Sequence, residues 1–347
     1  MAIKQAQELE RLMQDAFERK AGFLYMMPNE PPVFRIKNSI ERSQGESLTA
    51  EKIKAIAAEA LGKDALKDIG AETGQLTTLC TLPGIVDGRM YVAKVGGDYM
   101  ITLHLLPTCL PDSACVRIPE AILEAALSAK GLVLFSGPTG CGKTTSLFST
   151  LDHINSKKAC TICMVEHAID FHLTGKKALI QQREVGVDVP DMITGITTSI
   201  SQGADVLMVG ELRNLEEINM CIMVSQNHLV LSQLHADTPE AAIQRMIDIF
   251  PEDSVAVPRR ILAEKLRGVC AQILLERADG KGRVAAYGVL IPDDQMRKAI
   301  AQGHDIFDRK TPLPDGCRTI AEDVERLLSE GIITEEVRDK ALAELKQ

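Results

Sequence analysis

A glycine-rich segment, GPTGCGKTT at Gly137–Thr145, has the residue types and spacing that bind phosphate. It fits the pattern G-x-x-x-x-G-K-[ST], and it follows the apolar run LVLF. Glycines let successive backbone N–H groups converge on a phosphate, the lysine supplies positive charge, and a threonine hydroxyl suits Mg²⁺. The segment therefore predicts a nucleotide site, with a plain strand-to-helix turn as the alternative. Its binding residues would be Gly137, Pro138, Thr139, Gly140, Cys141, Gly142, Lys143, Thr144 and Thr145, with Thr144 also as the metal ligand.

Three further apolar runs end in acidic or histidine side chains. DVLMVGELRN ends near Glu211, CMVEHAIDFH passes through Glu166, and VLSQLHADT carries His235. Ligands bind at the carboxyl edge of an open parallel sheet, so these side chains are expected to face the phosphates. Glu211 could orient or deprotonate the attacking water, and His235 could sense the γ-phosphate.

Each of these assignments has a structural alternative. Glu211 could be a solvated loop acid. The ring nitrogens of His235 could hydrogen-bond only to neighbouring backbone, and His228 is expected to have a structural role of this kind. Glu166, His167, Asp170 and His172 could instead form a zinc site, but the spacing of a dedicated site is missing, and we favour Glu166 in the nucleotide site.

Alternating apolar strands and longer helices are the elements that would position these residues. They predict an α/β region with a mainly parallel sheet covered on both faces. The expected strands are 132–136, 161–165, 178–182, 205–209 and 229–233, and the expected helices are 143–156, 189–202, 213–226 and 238–249. Beyond residue 255 the pattern is mostly helical, with two more strands at 269–275 and 285–291.

The first hundred residues have a different pattern. An amphipathic start, a helical stretch at 50–61 and strands at 33–36, 76–82, 89–95 and 99–106 predict a small α+β domain. The proline-containing segment PTCLPDSACVRIP has no helical period and predicts a linker. The expected divisions are thus 1–106, a linker at 107–119, a core at 120–290 and a helical region at 291–347.

Composition excludes several classes of protein. The net charge of −9 gives no global basic field for nucleic acid or anionic lipid. No apolar stretch is long enough to cross a bilayer, and the first residues lack a signal-peptide core, so we expect a cytoplasmic protein without membrane insertion. The nine cysteines are expected to be reduced core residues, including Cys160 and Cys163.

Four segments in one order, GPTGCGKTT, MVEHAID, DVLMVGELRN and LSQLHADT, resemble the Walker A, aspartate, Walker B and histidine boxes of the secretion ATPase superfamily. The similarity is strongest to PilT-type retraction ATPases of type IV pili and covers about 131–290. No four-cysteine zinc insertion, typical of the extension type, is found in the sequence. The resemblance implies a RecA-like P-loop core, a PAS-like amino-terminal domain and a helical carboxyl-terminal region.

The resemblance also implies an activity and its partners. These are ATP hydrolysis with Mg²⁺, a homo-oligomeric hexameric ring, and a pilus or secretion platform protein at the inner membrane. Lys143 and Thr144 carry over to phosphate and Mg²⁺, Glu211 to the Walker B acid, Glu166 to the aspartate-box acid and His235 to the histidine box. Hydrolysis in such a ring would drive motion between domains.

This chain departs from the family pattern at several positions. Thr197 and Ser201 stand where arginines are common, and Asp293–Ile300 keeps only part of an apolar retraction motif. Arg89 is a candidate for an arginine that reaches a neighbouring subunit, with a solvated strand residue as the alternative. The departures favour slow hydrolysis, and they leave open a weakly active or inactive paralogue that regulates or scaffolds such a machine. A small-molecule kinase is a third alternative.

Overall fold

A computed structural model describes residues 2–36, 39–62, 66, 69, 75–82, 85–106, 110–111, 113–304 and 313–345. The chain divides into two compact units, Met1–Cys109 and Leu110–Gln347. Residues 107–109 and 112 of the expected linker lie outside the described residues. The finer division of the second unit into linker, core and helical region stays a prediction.

Where the structure describes it, the first unit is an antiparallel sheet packed against the helices α1 and α2. Its strands follow the order β3-β2-β1-β6-β5-β4. Leu12 of the first helix and Ile53 of the second join Met90 and Leu103 of the sheet in one buried cluster. Its elements are α1 (Ala2–Glu18), β1 (Phe23–Met26), β2 (Val33–Ile36), β3 (Ser39–Arg42), α2 (Ala50–Leu61), β4 (Gln75–Leu82), β5 (Val86–Val95) and β6 (Asp98–Leu105).

The expected helix at 50–61 and the expected strands of this unit are confirmed to within three residues. Strands β1 and β3 were not predicted. All four residues of β3 are exposed, so this strand has no apolar alternation that could reveal it.

The second unit is built on a seven-stranded sheet in the order β13-β12-β7-β11-β10-β8-β9. All neighbouring pairs are parallel except β12 and β13. Its elements are α3 (Ser113–Val116), α4 (Glu120–Ala125), β7 (Gly131–Ser136), α5 (Lys143–Lys157), β8 (Thr161–Glu166), β9 (Leu179–Glu184), α6 (Met192–Ser201), β10 (Val206–Glu211), α7 (Leu215–Val224), β11 (Leu229–Leu234), α8 (Pro239–Asp248), α9 (Ala256–Lys265), β12 (Leu266–Glu276), β13 (Arg283–Leu290), α10 (Asp294–Gln302), α11 (Ile320–Ser329) and α12 (Glu335–Glu344).

Helices cover both faces of this sheet, which explains the continuous apolar runs of its strands. Successive residues of β7 point to opposite faces. Leu132 and Leu134 join one cluster with residues of α6, α7 and α8, and Val133 and Phe135 join another with residues of α5. The expected α/β arrangement and its strands are confirmed to within about three residues at each end.

Three helices of the second unit begin later than expected because a side chain caps each one. Asp191, Asn214 and Thr238 accept hydrogen bonds from the backbone N–H groups of Thr194, Glu217 and Ala241. These caps set the first turns of α6, α7 and α8, one to three residues after the expected starts.

The segment expected to be a linker contains the short helix α3 at Ser113–Val116, although its sequence has no helical period. Hydrogen bonds hold this segment against the second unit. Ser149 Oγ donates to Pro111 O at 2.7 Å, and Tyr287 Oη donates to Val116 O at 3.0 Å. Side chains of α5 and β13 therefore fix a segment that has no helical period in its sequence.

The described residues beyond β13 include the helices α10, α11 and α12, and α11 packs against the sheet. Asp323 of α11 is fully buried and accepts a hydrogen bond from Tyr287 N at 2.8 Å. It also pairs with Arg318 at 2.9 Å and Arg326 at 2.8 Å. Within the described chain, every helix is too short or too polar to cross a membrane.

Candidate nucleotide site

The predicted site residues lie at one edge of the seven-stranded sheet, where its parallel strands end. Leu234 of β11 pairs with Ser136 of β7, and Gln233 pairs with Glu211 of β10. Strand β8 ends at Glu166, one residue beyond the last paired residue of β10 and β8. The topology thus brings the Gly137–Thr145 loop, Glu211, Glu166 and His235 to the same edge.

The loop between β7 and α5 has the backbone shape that its glycines permit. Gly137, Gly140 and Gly142 have φ values of 142°, 79° and 91°, which other residues rarely adopt. A Cβ on Gly137 would lie 2.4 Å from Gln272 O, so a side chain has no room there. Pro138, Thr139 and Gly140 are exposed, and the loop leads directly into the amino terminus of α5.

Lys143 lies inside this loop and is only 8% exposed. Its Nζ donates to Gly137 O at 2.8 Å and to Pro138 O at 2.9 Å, and it lies 3.5 Å from His235 Nδ1. Thr144 Oγ1 donates to Gln233 Oε1 at 3.4 Å. The ammonium group is therefore placed where phosphate oxygens could replace backbone carbonyls as its acceptors.

Glu211 contacts two cationic or histidine side chains. His235 Nε2 pairs with its Oε1, and Arg213 Nη2 lies 3.2 Å from its Oε2. If His235 Nδ1 accepts from the Lys143 ammonium, the Nε2 proton is the one donated to Glu211. We call Lys143, Thr144, Glu211 and His235 the loop cluster.

Glu166 ends β8, His167 follows it, and Glu217 lies in the first turn of α7; we call these three residues the acid cluster. Glu166 is 4% exposed and Glu217 is 5% exposed. His167 Nε2 lies 3.9 Å from Glu217 Oε1, and Glu217 Oε2 accepts from Arg213 N at 2.7 Å. Burial, and next the positive charge of Arg213, lower the pKa of His167, which favours its neutral form at pH 7.

The alternative of a dedicated metal site at 166–172 gains no support. His172 is exposed, and the described residues contain no group of three or more His, Cys, Asp or Glu side chains that could hold a metal ion. Cys160 and Cys163 pack beside or within hydrophobic clusters, and burial raises the pKa of both thiols.

Burial also raises the pKa of the Cys141 thiol, which disfavours the reactive thiolate in the loop. Arg89, in the first unit, is 2% exposed, so its alternative interpretation as a solvated strand residue is wrong. Thr197 and Ser201 are exposed on α6, and their hydroxyls donate to backbone carbonyls of their own helix. These two positions therefore supply no positive charge.

Three residues that contact the predicted ones were not predicted from the sequence. Arg213 pairs with Glu211, Gln233 accepts from Thr144, and Gln272 Nε2 donates to Cys141 O at 2.6 Å. Arg213 could have been noticed from its position two residues after Glu211. Gln272 could also have been noticed, because it is the one polar side chain in the apolar run VCAQILL.

Fold and site together define a class of protein. A family model described as "Type II/IV secretion system protein" matches residues 81–344, and the chain belongs to this family. It is 28% identical over 335 residues to the "Type IV pilus retractation ATPase PilT" of Pseudomonas aeruginosa, covering 94% of this chain and 96% of that protein. It is 26% identical over 311 residues to a "Twitching motility protein" of Neisseria gonorrhoeae, covering 88% of this chain and 82% of that protein.

A solved structure supports the same relationship. The structure titled "Crystal Structure of the Pilus Retraction Motor PilT and Bound ADP" superposes with a TM-score of 0.87 and is 28% identical in sequence, covering 96% of each chain. The fold also matches that of the ATPase DotB from Legionella pneumophila, with a TM-score of 0.80 and 21% identity over 97% of this chain and 95% of that chain.

Proposed function

We propose that this protein hydrolyses ATP as a motor of the type IV pilus and type II secretion class, most similar to a pilus retraction ATPase. The observation that carries the proposal is the chain of contacts in the loop cluster. Lys143 lies inside a glycine loop, His235 lies beside it, and His235 pairs with Glu211 at the next strand end. The names of the similar proteins support the choice of ATP and of the pilus machine.

The loop and the start of α5 would bind the phosphates. The first backbone N–H groups of a helix lack acceptors within it, so those of Lys143, Thr144 and Thr145 are available to phosphate oxygens. Lys143 adds a full positive charge. A cavity of about 340 Å³ beside this turn, lined by Thr145, Ser146, Leu274 and Arg283 among others, has room for the nucleoside.

Glu211 would orient the water that attacks the γ-phosphorus and accept its proton, while His235 holds the carboxylate in place. The bond between the γ-phosphorus and the bridging oxygen then breaks, which yields ADP and phosphate. Thr144 and Glu166 offer the oxygen ligands that Mg²⁺ prefers, Glu166 acting through water. Mg²⁺ bound there would neutralise charge on the phosphates of the nucleotide.

The two units and their assembly into a ring would complete the motor. The second unit would be a RecA-like core and the first a PAS-like domain, in a homo-hexameric ring on the cytoplasmic face of the inner membrane. Loss of the γ-phosphate would be coupled to motion between domains, and the ring would act on a pilus or secretion platform protein. An ATPase rate per subunit that rises with protein concentration would support ring assembly, and a constant rate would contradict it.

Replacing Glu211 tests its proposed role in ATP hydrolysis. We expect Glu211→Gln to bind ADP and ATP as the parent does and to hydrolyse ATP at least about 100-fold more slowly, because the variant cannot accept a proton from water. Glu216→Gln, an exposed change on the first turn of α7, is the matched control and should keep the parent rate. Equal turnover by Glu211→Gln and the parent would overturn the assigned role.

A further inference from the structure

Gln272 is a polar residue buried in an apolar strand. It is 1% exposed, and the adjacent Ala271 of β12 pairs with Ser136, the last residue of β7. This register places Gln272 beside the first residue of the phosphate loop. A buried amide in the interior of a sheet is costly unless it is hydrogen-bonded, so its contacts indicate why it is there.

The contact of Gln272 is with the loop itself. Its Nε2 donates to Cys141 O at 2.6 Å, and a Cβ on Gly142 would lie 3.1 Å from the same Nε2. The amide has one orientation, because turning it over would direct Oε1 at another acceptor. Among the residues that the structure describes, Oε1 has no hydrogen-bond partner.

This hydrogen bond sets the direction of a neighbouring donor. The C=O and N–H of a trans peptide lie in one plane and point in opposite directions within it. Because Gln272 holds the carbonyl of Cys141 towards β12, the N–H of Gly142 in the same peptide points away from β12.

We propose that Gln272 is a positioning residue for bound phosphate: its amide fixes the Cys141–Gly142 peptide so that the Gly142 N–H faces the phosphates of the nucleotide. This inference rests on the proposed function. Without the amide donor, this peptide can rotate, and the N–H must be oriented when the nucleotide binds, which lowers affinity.

Tyr287 provides a matched control on the same hairpin. It pairs with Gln272 across β12 and β13, and its hydroxyl contacts Ser146 Oγ at 3.2 Å and Val116 O at 3.0 Å. Tyr287→Phe therefore removes hydrogen bonds between the hairpin and its neighbours without touching the loop peptide.

The test measures affinity for ADP, the KM and kcat for ATP, and the unfolding midpoint without nucleotide. We expect Gln272→Met to bind ADP about tenfold more weakly and to raise the KM by a similar factor, with kcat within about twofold of the parent. Gln272→Glu should bind ADP more weakly still, because its carboxylate repels both the carbonyl and the phosphates. Tyr287→Phe should lower the unfolding midpoint about as much as Gln272→Met but bind ADP as the parent does.

Two outcomes would overturn the inference: ADP affinity of Gln272→Met within about twofold of the parent, or an equal loss of affinity in Tyr287→Phe. If the Met variant does not fold, Gln272→Asn applies the same test, since its donor is one methylene short of Cys141 O. A parent protein that does not bind ADP would instead overturn the proposed function, and this inference with it.

Discussion

The loop cluster and the acid cluster lie at the same edge of one sheet, but their side chains are held in different ways. In the loop cluster, Lys143, His235 and Glu211 contact one another in a row. In the acid cluster, Glu166 and Glu217 are buried, and His167 Nε2 lies 3.9 Å from Glu217 Oε1.

The two clusters also differ in charge. The positive charge of Lys143 balances the negative charge of Glu211, and His235 lies between them. The acid cluster has two carboxylates beside a histidine whose lowered pKa favours the neutral form. The difference suggests a division of labour, in which the loop cluster binds and cleaves the triphosphate and the acid cluster favours the cation that comes with it.

Of the changes in the two clusters, removing the Lys143 side chain should have the largest effect on ATP hydrolysis. We expect Lys143→Ala to reduce ATP hydrolysis by more than about 100-fold and to weaken ADP binding, because the loop loses its one ammonium donor to phosphate. Hydrolysis assays and ADP titration measure both effects. Lys157→Ala, an exposed change at the end of the same helix, should retain the parent activity. Normal hydrolysis by Lys143→Ala would show that the loop cluster is not the reaction site.

Replacing His235 should have a smaller effect, because it acts through its two neighbours. We expect His235→Phe to lower kcat about 10- to 100-fold, since Glu211 loses one of the two side chains that hold it. His235→Asn keeps a side-chain donor and should recover part of the loss. Steady-state kinetics on both variants, with the KM reported separately, would show whether the histidine acts on turnover. A kcat within about twofold of the parent for His235→Phe would contradict the role that these contacts assign to His235.

The sequence predicted the loop cluster well because local geometry determines it. The glycine spacing, the buried strand before it and the helix after it are all consecutive in the chain, and the expected positions of Glu211 and His235 follow from where two strands end. Their placement at one edge follows from the rule that ligands bind at the carboxyl edge of a parallel sheet, whereas their contacts with one another were not predicted.

Contacts that depend on strand order could not be predicted in the same way. Gln272 follows the loop by about 130 residues, and only the pairing of β12 with β7 brings it to Cys141. Arg213 was close to Glu211 in sequence, yet its orientation depends on the hydrogen bond from its backbone to the buried Glu217. Strand β3 was missed because exposed side chains leave no periodic pattern.

The acid cluster gives the smallest predicted effect, which is on stability rather than on turnover. Burial lowers the pKa of His167 in the folded protein, so between that value and the ordinary value of about 6.5 the unfolded chain binds more protons than the folded chain. Stability should therefore fall as the pH decreases from about 6.5 through the folded pKa, and this contribution should be absent in His167→Gln.

We expect the unfolding midpoint of the parent to drop more between pH 7 and pH 5.5 than that of His167→Gln, by about 1–2 °C. Thermal melts at the two pH values measure the difference. His172→Gln replaces an exposed histidine in the same segment, so it should follow the parent. If His167→Gln and His172→Gln have the same pH dependence, burial does not distinguish these histidines. The acid cluster would then be solvated, and the contrast with the loop cluster would not hold.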